Sequence, residues 1–338
     1  MNSFKKLLFA GIFTVPFAFS CGNDKVKTDT TAETAEPAKP VVKNVPSFNA
    51  DSAYNFINRQ VSFGPRVPGT KAQKECADWM EQKLIKFCDT VYRQDATVTG
   101  GDGKGLPCYN IIGVIHPNAT RRILFLTHWD SRPWADNDVK DKDKPIDAAD
   151  DGGSGTGILM EIAQVIKNDP HLSNNIGIDL LLTDVEDYGR SAWGEQSYCL
   201  GTQYWAKHPH KTGYKAMYGV LLDMTGAYNA KFPLESLSAQ YASDVQQKVW
   251  SAAADAGYGS YFVYIQGAPI TDDHIPINKI AGIKTIDIIN LVPEQENPFA
   301  AHWHTHQDNM SIIDKNTLHA VGQSLLQLIY EEDQNPTN

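Results

Sequence analysis

Four short apolar runs constrain this chain more than anything else in it: "ILFLT" (123–127), "IDLLLT" (178–183), "GVLLD" (219–223) and "IKTIDII" (283–289). Runs of that length, apolar on both faces, suit strands of a parallel sheet buried beneath helices on either side. The sequence between them has helical spacing. In "TKAQKECADWMEQKLIKF" (70–87) the residues Cys76, Trp79, Met80, Leu84 and Phe87 share one face, and Thr70 with Gln73 has capping-box spacing. Helices are also expected over "GSGTGILMEIAQVIK", near 195–207, along Tyr241, Val245, Val249, Ala252 and Ala256, and along Leu318, Val321, Leu325, Leu328 and Ile329, the last with Asp314 as N-cap. "TVYRQDATV", "CYNIIGVI" and "YFVYIQ" read as further strands. The fold class is α/β: a three-layer α/β/α sandwich around a mixed, mostly parallel central sheet.

Ligands of such sheets bind beyond the carboxyl ends of the strands. There the chain places His128 and Asp130, Asp150 and Asp151, Glu186 and Asp187, Asp223, and finally a loop carrying His302, His304, His306 and Asp308. Singly, each reads as a turn residue or helix cap. Together, all acids and imidazoles and none of them cysteine, they describe the ligand chemistry of a catalytic zinc. The adjacent carboxylates of "TDVEDYG" need such an explanation, because like charges that close repel and raise each other's pKa. A divalent cation inverts that logic. One acid can bind it and the other can face the substrate as a base.

Other classes are excluded. "GGSGTG" lacks the GK[ST] ending of a phosphate loop and the register of a dinucleotide fingerprint. "HWHTHQD" departs from the HxHxDH pattern of metallo-β-lactamase-like enzymes at Gln307. A net charge of −10 and a pI near 5.4, with no basic stripe, argue against nucleic acid.

The N-terminus reads as an export signal. Lys5 and Lys6 precede "LLFAGIFTVPFAF", which is too short to span a bilayer comfortably. Ser20 before Cys21 resembles a lipobox, so residues 1–20 are expected to be a lipoprotein signal and Cys21 a lipidated N-terminus facing the periplasm of a bacterial envelope. An ordinary cleaved signal is the alternative. Residues 21–46 read as a flexible tether, and 47–338 as a single α/β catalytic domain. Without Cys21, the remaining Cys76, Cys88, Cys108 and Cys199 allow three pairings or four buried thiols.

The ordered set "THWDSR", "DAADDGGSG", "TDVEDYG", "LLDMTGA", "TDDHIP" and "HWHTHQDN" resembles the zinc-dependent glutaminyl-peptide cyclotransferases of the animal-type fold, also found in some bacteria. That zinc-exopeptidase-like fold is shared with zinc aminopeptidases. The resemblance implies one zinc per chain on Asp151, Asp187 and His304, with Asp187 one methylene shorter than the family's usual glutamate. It implies Glu186 as general acid/base, and Asp223 and Asp272 as acids hydrogen-bonded with it. It further implies Trp193, Phe299 and Trp303 as aromatic substrate walls, and Thr271 where the animal enzymes have glutamine. The implied reaction converts N-terminal glutamine of peptides and exported proteins to pyroglutamate with loss of ammonia, by an expected monomer. An aminopeptidase using His128, Asp151, Asp187, Asp223 and His304 for two zincs is the alternative within the fold. A binding protein without catalysis is the alternative outside enzymes, and the intact Glu186 argues against it.

Overall fold

The four apolar runs become adjacent strands of one sheet. In the computed structural model, which describes residues 42–334 apart from 294 and 296, β3 (Arg121–His128), β4 (Ile176–Thr183), β5 (Tyr218–Asp223) and β8 (Thr285–Ile289) are mutually parallel in the order β4-β3-β5-β8. An antiparallel hairpin, β1 (Thr90–Thr99) and β2 (Gly105–Ile115), continues the sheet beyond β4. The expected signal, Cys21 and the first part of the tether lie outside the described residues. The tether's last residues pack instead of swinging free: Val42 and Val45 lie against the core, and Lys43 and Pro46 hydrogen-bond the Gln334 and Gln323 side chains of the final helix.

Alternation along each strand sorts the core into two layers, as a period of two requires. Ile123, Phe125, Ile178, Leu180, Leu182, Val220 and Leu222 face one cluster, covered by α1 (Ala50–Val61), α2 (Lys71–Phe87), α3 (Gly153–Asn168), α5 (Ser236–Asp255) and α7 (Lys315–Gln334). Leu124, Leu126, Leu181 and Leu221 face a thinner cluster beneath Trp205 and Ala206 of α4 (Leu200–Lys207) and Ile277. That residue opens the π-helical turn Ile277–Ala281, which follows the short helix α6 (His274–Pro276). Each fully buried Leu, Ile or Phe here stabilises by about 1.5–3 kcal/mol relative to exposure.

Two expectations need amendment, one element is new and one open question closes. "YFVYIQ" does form a strand, β7 (Phe262–Gln266), but it pairs with the three-residue β6 (Phe232–Leu234) in a separate ribbon. The helix near 195–207 starts only at Leu200, because Gly194 with φ 84° breaks the segment into two 3₁₀ turns, Ser191–Trp193 and Glu195–Ser197. Helix α1 lacked a stated expectation; Asn49 caps it through Ser52 N–H. The four described cysteines, Cys76, Cys88, Cys108 and Cys199, open between pairing and free thiols, are free and buried.

Candidate metal centre

The strand-end groups gather in one region beyond the carboxyl edge of the parallel strands, except His306, which is exposed and pairs with Asp138 at 2.9 Å. His128 ends β3, Asp223 ends β5, Asp151 sits in the turn into α3, Glu186 and Asp187 follow β4, and His304 lies on the loop between β8 and α7. Gly152 makes the turn into α3 possible: its φ is 91°, and a Cβ there would stand 2.9 Å from the His128 ring.

The opening after β4 explains how neighbouring acids serve one region. Val185 takes the left-handed conformation, φ 55°, unusual for a β-branched residue. The strand's alternation breaks there, and the carboxylate of Asp130 accepts both following amides, Glu186 N–H at 3.0 Å and Asp187 N–H at 3.1 Å. Asp184 turns the other way. It is fully buried, accepts from Tyr109 N–H and Gln73 Nε2, and supports the fold rather than the site. Gln73 thereby leaves half of the expected capping box: Thr70 Oγ1 accepts Gln73 N–H, but the Gln73 carbonyl takes Gly69 N–H.

Asp151, Asp187 and His304 bring ligand atoms within 4.8 Å of one another, and so do His128, Asp151 and Asp223. The two triads share Asp151 but differ in spacing. His304 Nε2 lies 3.3 Å from Asp187 Oδ1 and 3.7 Å from Asp151 Oδ2. Ligands about 2.0–2.2 Å from a tetrahedral zinc stand about 3.3–3.6 Å apart, so this triad fits the ion. His128 Nε2 sits only 2.9 Å from Asp151 Oδ1, a hydrogen-bond distance. Asp187 Oδ2 is buried with no hydrogen-bond partner, a costly arrangement unless a cation completes it.

A frame holds these ligands. The buried Arg132 gives Nε and one terminal nitrogen to Asp136, at 2.8 and 2.6 Å, and its other nitrogen to Asp187 Oδ1 at 2.8 Å, Asp187 O and Gly189 O. Asp136 in turn stands 3.5 Å from His304 Nδ1. Asp308 accepts the amides of Asp150 and Asp151, and Asp150 engages His302 Nε2 at 2.9 Å. Burial would raise the Asp187 pKa, but His304 and Arg132 outweigh it and hold the carboxyl below its usual range.

The second acid has a different environment. Glu186 is 9 % exposed. Burial drives its pKa well up; His128 opposes this, while Asp187 and Asp272 add to it. Glu186, Cys199 and Asp272 bring polar atoms within 4.8 Å of one another, and the Cys199 thiol donates to Glu186 Oε1 at 3.4 Å. Burial also pushes Asp223 up to about 6 and Asp272 well up, the latter helped by Asp223. Asp287, buried on β8 with both carboxylate oxygens unpartnered, belongs electrostatically to the same group.

The three expected aromatic walls separate. Phe299 stacks on Trp303 at 3.9 Å between centroids, and Trp303 on His304 at 3.8 Å. Trp193 belongs to another cluster, with Tyr188 and Trp134, over the β1–β2 turn at Gly101. Arg132 links the two regions, since its guanidinium also lies 5.5 Å from the Trp134 ring. Sequence reasoning missed Asp136, Cys199, Trp134 and Asp287. Only Asp136, four residues after Arg132 in an acid-rich loop, offered any signal.

The profile of peptidase family M28 matches residues 110–329, which contain all of these groups except Trp193's hairpin contact at Gly101. A glutaminyl cyclase from Bacteroides thetaiotaomicron, solved with N-acetylhistamine bound, is 47% identical, with a TM-score of 0.82 over 86% of this chain and 100% of that one. A structure from Parabacteroides distasonis described as a Zn-dependent exopeptidase is 48% identical, with a TM-score of 0.82 over 85% of this chain and 99% of that one. The Drosophila melanogaster glutaminyl-peptide cyclotransferase is 26% identical over 75% of this chain and 73% of its own length. The chain spans about two-thirds to three-quarters of the cyclotransferase relatives it matches. With a metal-site triad at the carboxyl edge of its sheet and this match over residues 110–329, the chain belongs to peptidase family M28 and is similar throughout its fold to bacterial glutaminyl cyclases.

Proposed function

We propose that this protein is a glutaminyl-peptide cyclotransferase, closing N-terminal glutamine to pyroglutamate with release of ammonia. The observation that carries the reading is the division of labour in "VED": Asp187 is aimed at the ion site, while Glu186 is buried beside Cys199 and Asp272 with its proton affinity raised. Asp151, Asp187 and His304 would hold one zinc, which supplies Lewis-acid polarisation of an amide oxygen.

The remaining work falls to side chains. Glu186 takes a proton from the attacking α-amino group and returns it to the departing amide nitrogen, as the new N–C bond forms and the old one breaks. Asp272 raises the proton affinity of Glu186 for that exchange. Asp223 acts behind it, and the Cys199 thiol orients Oε1. Phe299 and Trp303 form a flat wall that excludes water and favours the bent, near-attack shape of the side chain. Trp193 borders the outer part of the substrate path, and Thr271 leaves the amide without the glutamine contact of the animal enzymes.

A second reading, an aminopeptidase, is favoured by the triad His128, Asp151 and Asp223. Against a second ion there, His128 already hydrogen-bonds Asp151 and lies 3.4 Å from Asp223. Metal analysis distinguishes them: near one zinc per chain supports cyclisation, near two supports hydrolysis. Incubation with a short Gln-initiated peptide, followed by mass, tests the chemistry. Loss of ammonia is expected; loss of a residue would establish the peptidase instead.

From the basic and apolar N-terminus and Ser20 before Cys21 we infer export and an anchor on Cys21 facing the periplasm, with the protein acting as a monomer on exported proteins with N-terminal glutamine. Labelling with a fatty-acid probe in wild type and Cys21→Ala checks the anchor.

A further inference from the structure

We propose that Arg190 is a specificity residue: it engages a carboxylate of the substrate beyond the N-terminal glutamine. The inference rests on the cyclase reading for the first residue only.

The chain's arginines are Arg59, Arg66, Arg93, Arg121, Arg122, Arg132 and Arg190, all within the described residues. Arg93, Arg121, Arg122 and Arg132 bond carboxylates, Arg66 bonds backbone carbonyls, and Arg59 bonds Ser62 Oγ. Among the described residues, the guanidinium of Arg190 alone has no hydrogen-bond or ion-pair acceptor. Its backbone is held by Ser197, and its head lies over Trp134, 3.8 Å from the ring centroid, with Trp193 at 5.7 Å. The residue is half-buried. A cation held between two ring contacts is positioned before any ligand arrives, and its donors are not spent on a carboxylate of the described residues. A planar, five-donor edge pairs best with a carboxylate, two bonds at once.

Its position says which carboxylate. Arg190 follows Asp187 by three residues, and Trp134 beneath it also carries Arg132, which bonds Asp187 at 2.8 Å. Arg190 therefore stands one aromatic layer out from the ion site, and on this proposal the residues of a bound peptide that follow the first lie there. The overall charge of −10 disfavours acidic peptides at long range. A preference for them must come from local contact, since screening limits the wider field to about 8 Å at physiological salt. The carboxylate can be an acidic side chain or the free chain end of a short peptide.

Three peptides separate these sources: Gln-Ala-Ala-amide, Gln-Glu-Ala-amide and Gln-Ala-Ala with a free C-terminus. In wild type, kcat/KM is expected to be roughly three- to tenfold higher with the glutamate peptide than with the neutral amide, mostly through KM. Arg190→Gln should bring that ratio to about one or below, and Arg190→Lys should restore part of it. A gain confined to the free-terminus peptide keeps the carboxylate site and assigns it to chain ends. Equal constants for all three in wild type, or a gain that survives Arg190→Gln, overturns the proposal. Because each ratio compares substrates on one protein, loss of folded enzyme does not imitate the effect. If wild type releases ammonia from none of them, the cyclase reading fails; Kd values for the same peptides then decide on Arg190, with the same ratios expected.

Discussion

Strand β3 is flanked by two buried arginine–aspartate pairs, one at each end, and they are built to different standards. At its start, Arg122 bonds Asp179 at 2.7 Å twice and gives its other donors to the carbonyls of Ile115, His116 and Ala119, while Tyr214 completes Asp179 at 2.7 Å. Nothing there is left over. Beyond its far end, Arg132 is as well supplied, yet its partner Asp187 keeps Oδ2 buried and bare. A closed pair of charges is architecture. An open one is a socket, and a static charge network that stops one bond short of completion points to where something binds.

The contrast can be broken from its functional side first. Glu186→Gln should retain zinc and lose about 10²–10⁴-fold in turnover, read by ammonia release and by metal analysis on one sample. Near wild-type turnover would remove Glu186 from the chemistry. Arg122→Met attacks the closed pair. It strands Asp179 and should lower unfolding free energy by about 3–5 kcal/mol in denaturant, with zinc per folded chain unchanged. Arg132→Met attacks the open one. It should weaken zinc binding about 10–100-fold in a chelator competition, because two ligands lose their frame. If Arg122→Met and Arg132→Met affect zinc alike, the distinction between the two ends fails.

Glu161 gives a third, milder case: a buried acid of α3 that accepts from Gln164 but pairs with no cation among the described residues. Burial raises its pKa to about 7. The unfolded chain loses that proton near 4.5, so the folded state holds it longer and loses stability as pH rises from about 5 to 8. Glu161→Gln should therefore gain on wild type by about 1 kcal/mol at pH 8 and by almost nothing at pH 4, measured by melting across that range.

Much of this was legible beforehand because parallel strands advertise themselves. Apolar runs such as "ILFLT" admit few other roles, and acids placed just after them stand out. The strand ends thus pointed to a pool of acids and imidazoles, the family resemblance singled out Asp151, Asp187 and His304 among them, and the structure brings those three within 4.8 Å of one another. What stayed hidden depends on contacts between segments distant in sequence. Cys199 reaches Glu186 only because the loop after β4 folds back, its amide bonding Glu186 O at 3.0 Å. Trp134 and Trp193 meet across separate loops, so no spacing could pair them. β6 is too short for any periodicity, and Asp287 sits inside an apolar run where alternation gives no reason to suspect a carboxylate.

Val185 carries a consequence of its own. An extended chain deals its residues alternately to front and back, so two neighbours ordinarily never share a task. One left-handed step upsets the deal and hands consecutive residues to the same workshop, in the proposed mechanism the first to carry hydrogen and the second to grip an ion. Inserting or deleting a single residue between 183 and 188 would exchange those trades, which makes the length of this corner as much a part of the catalyst as the acids it turns.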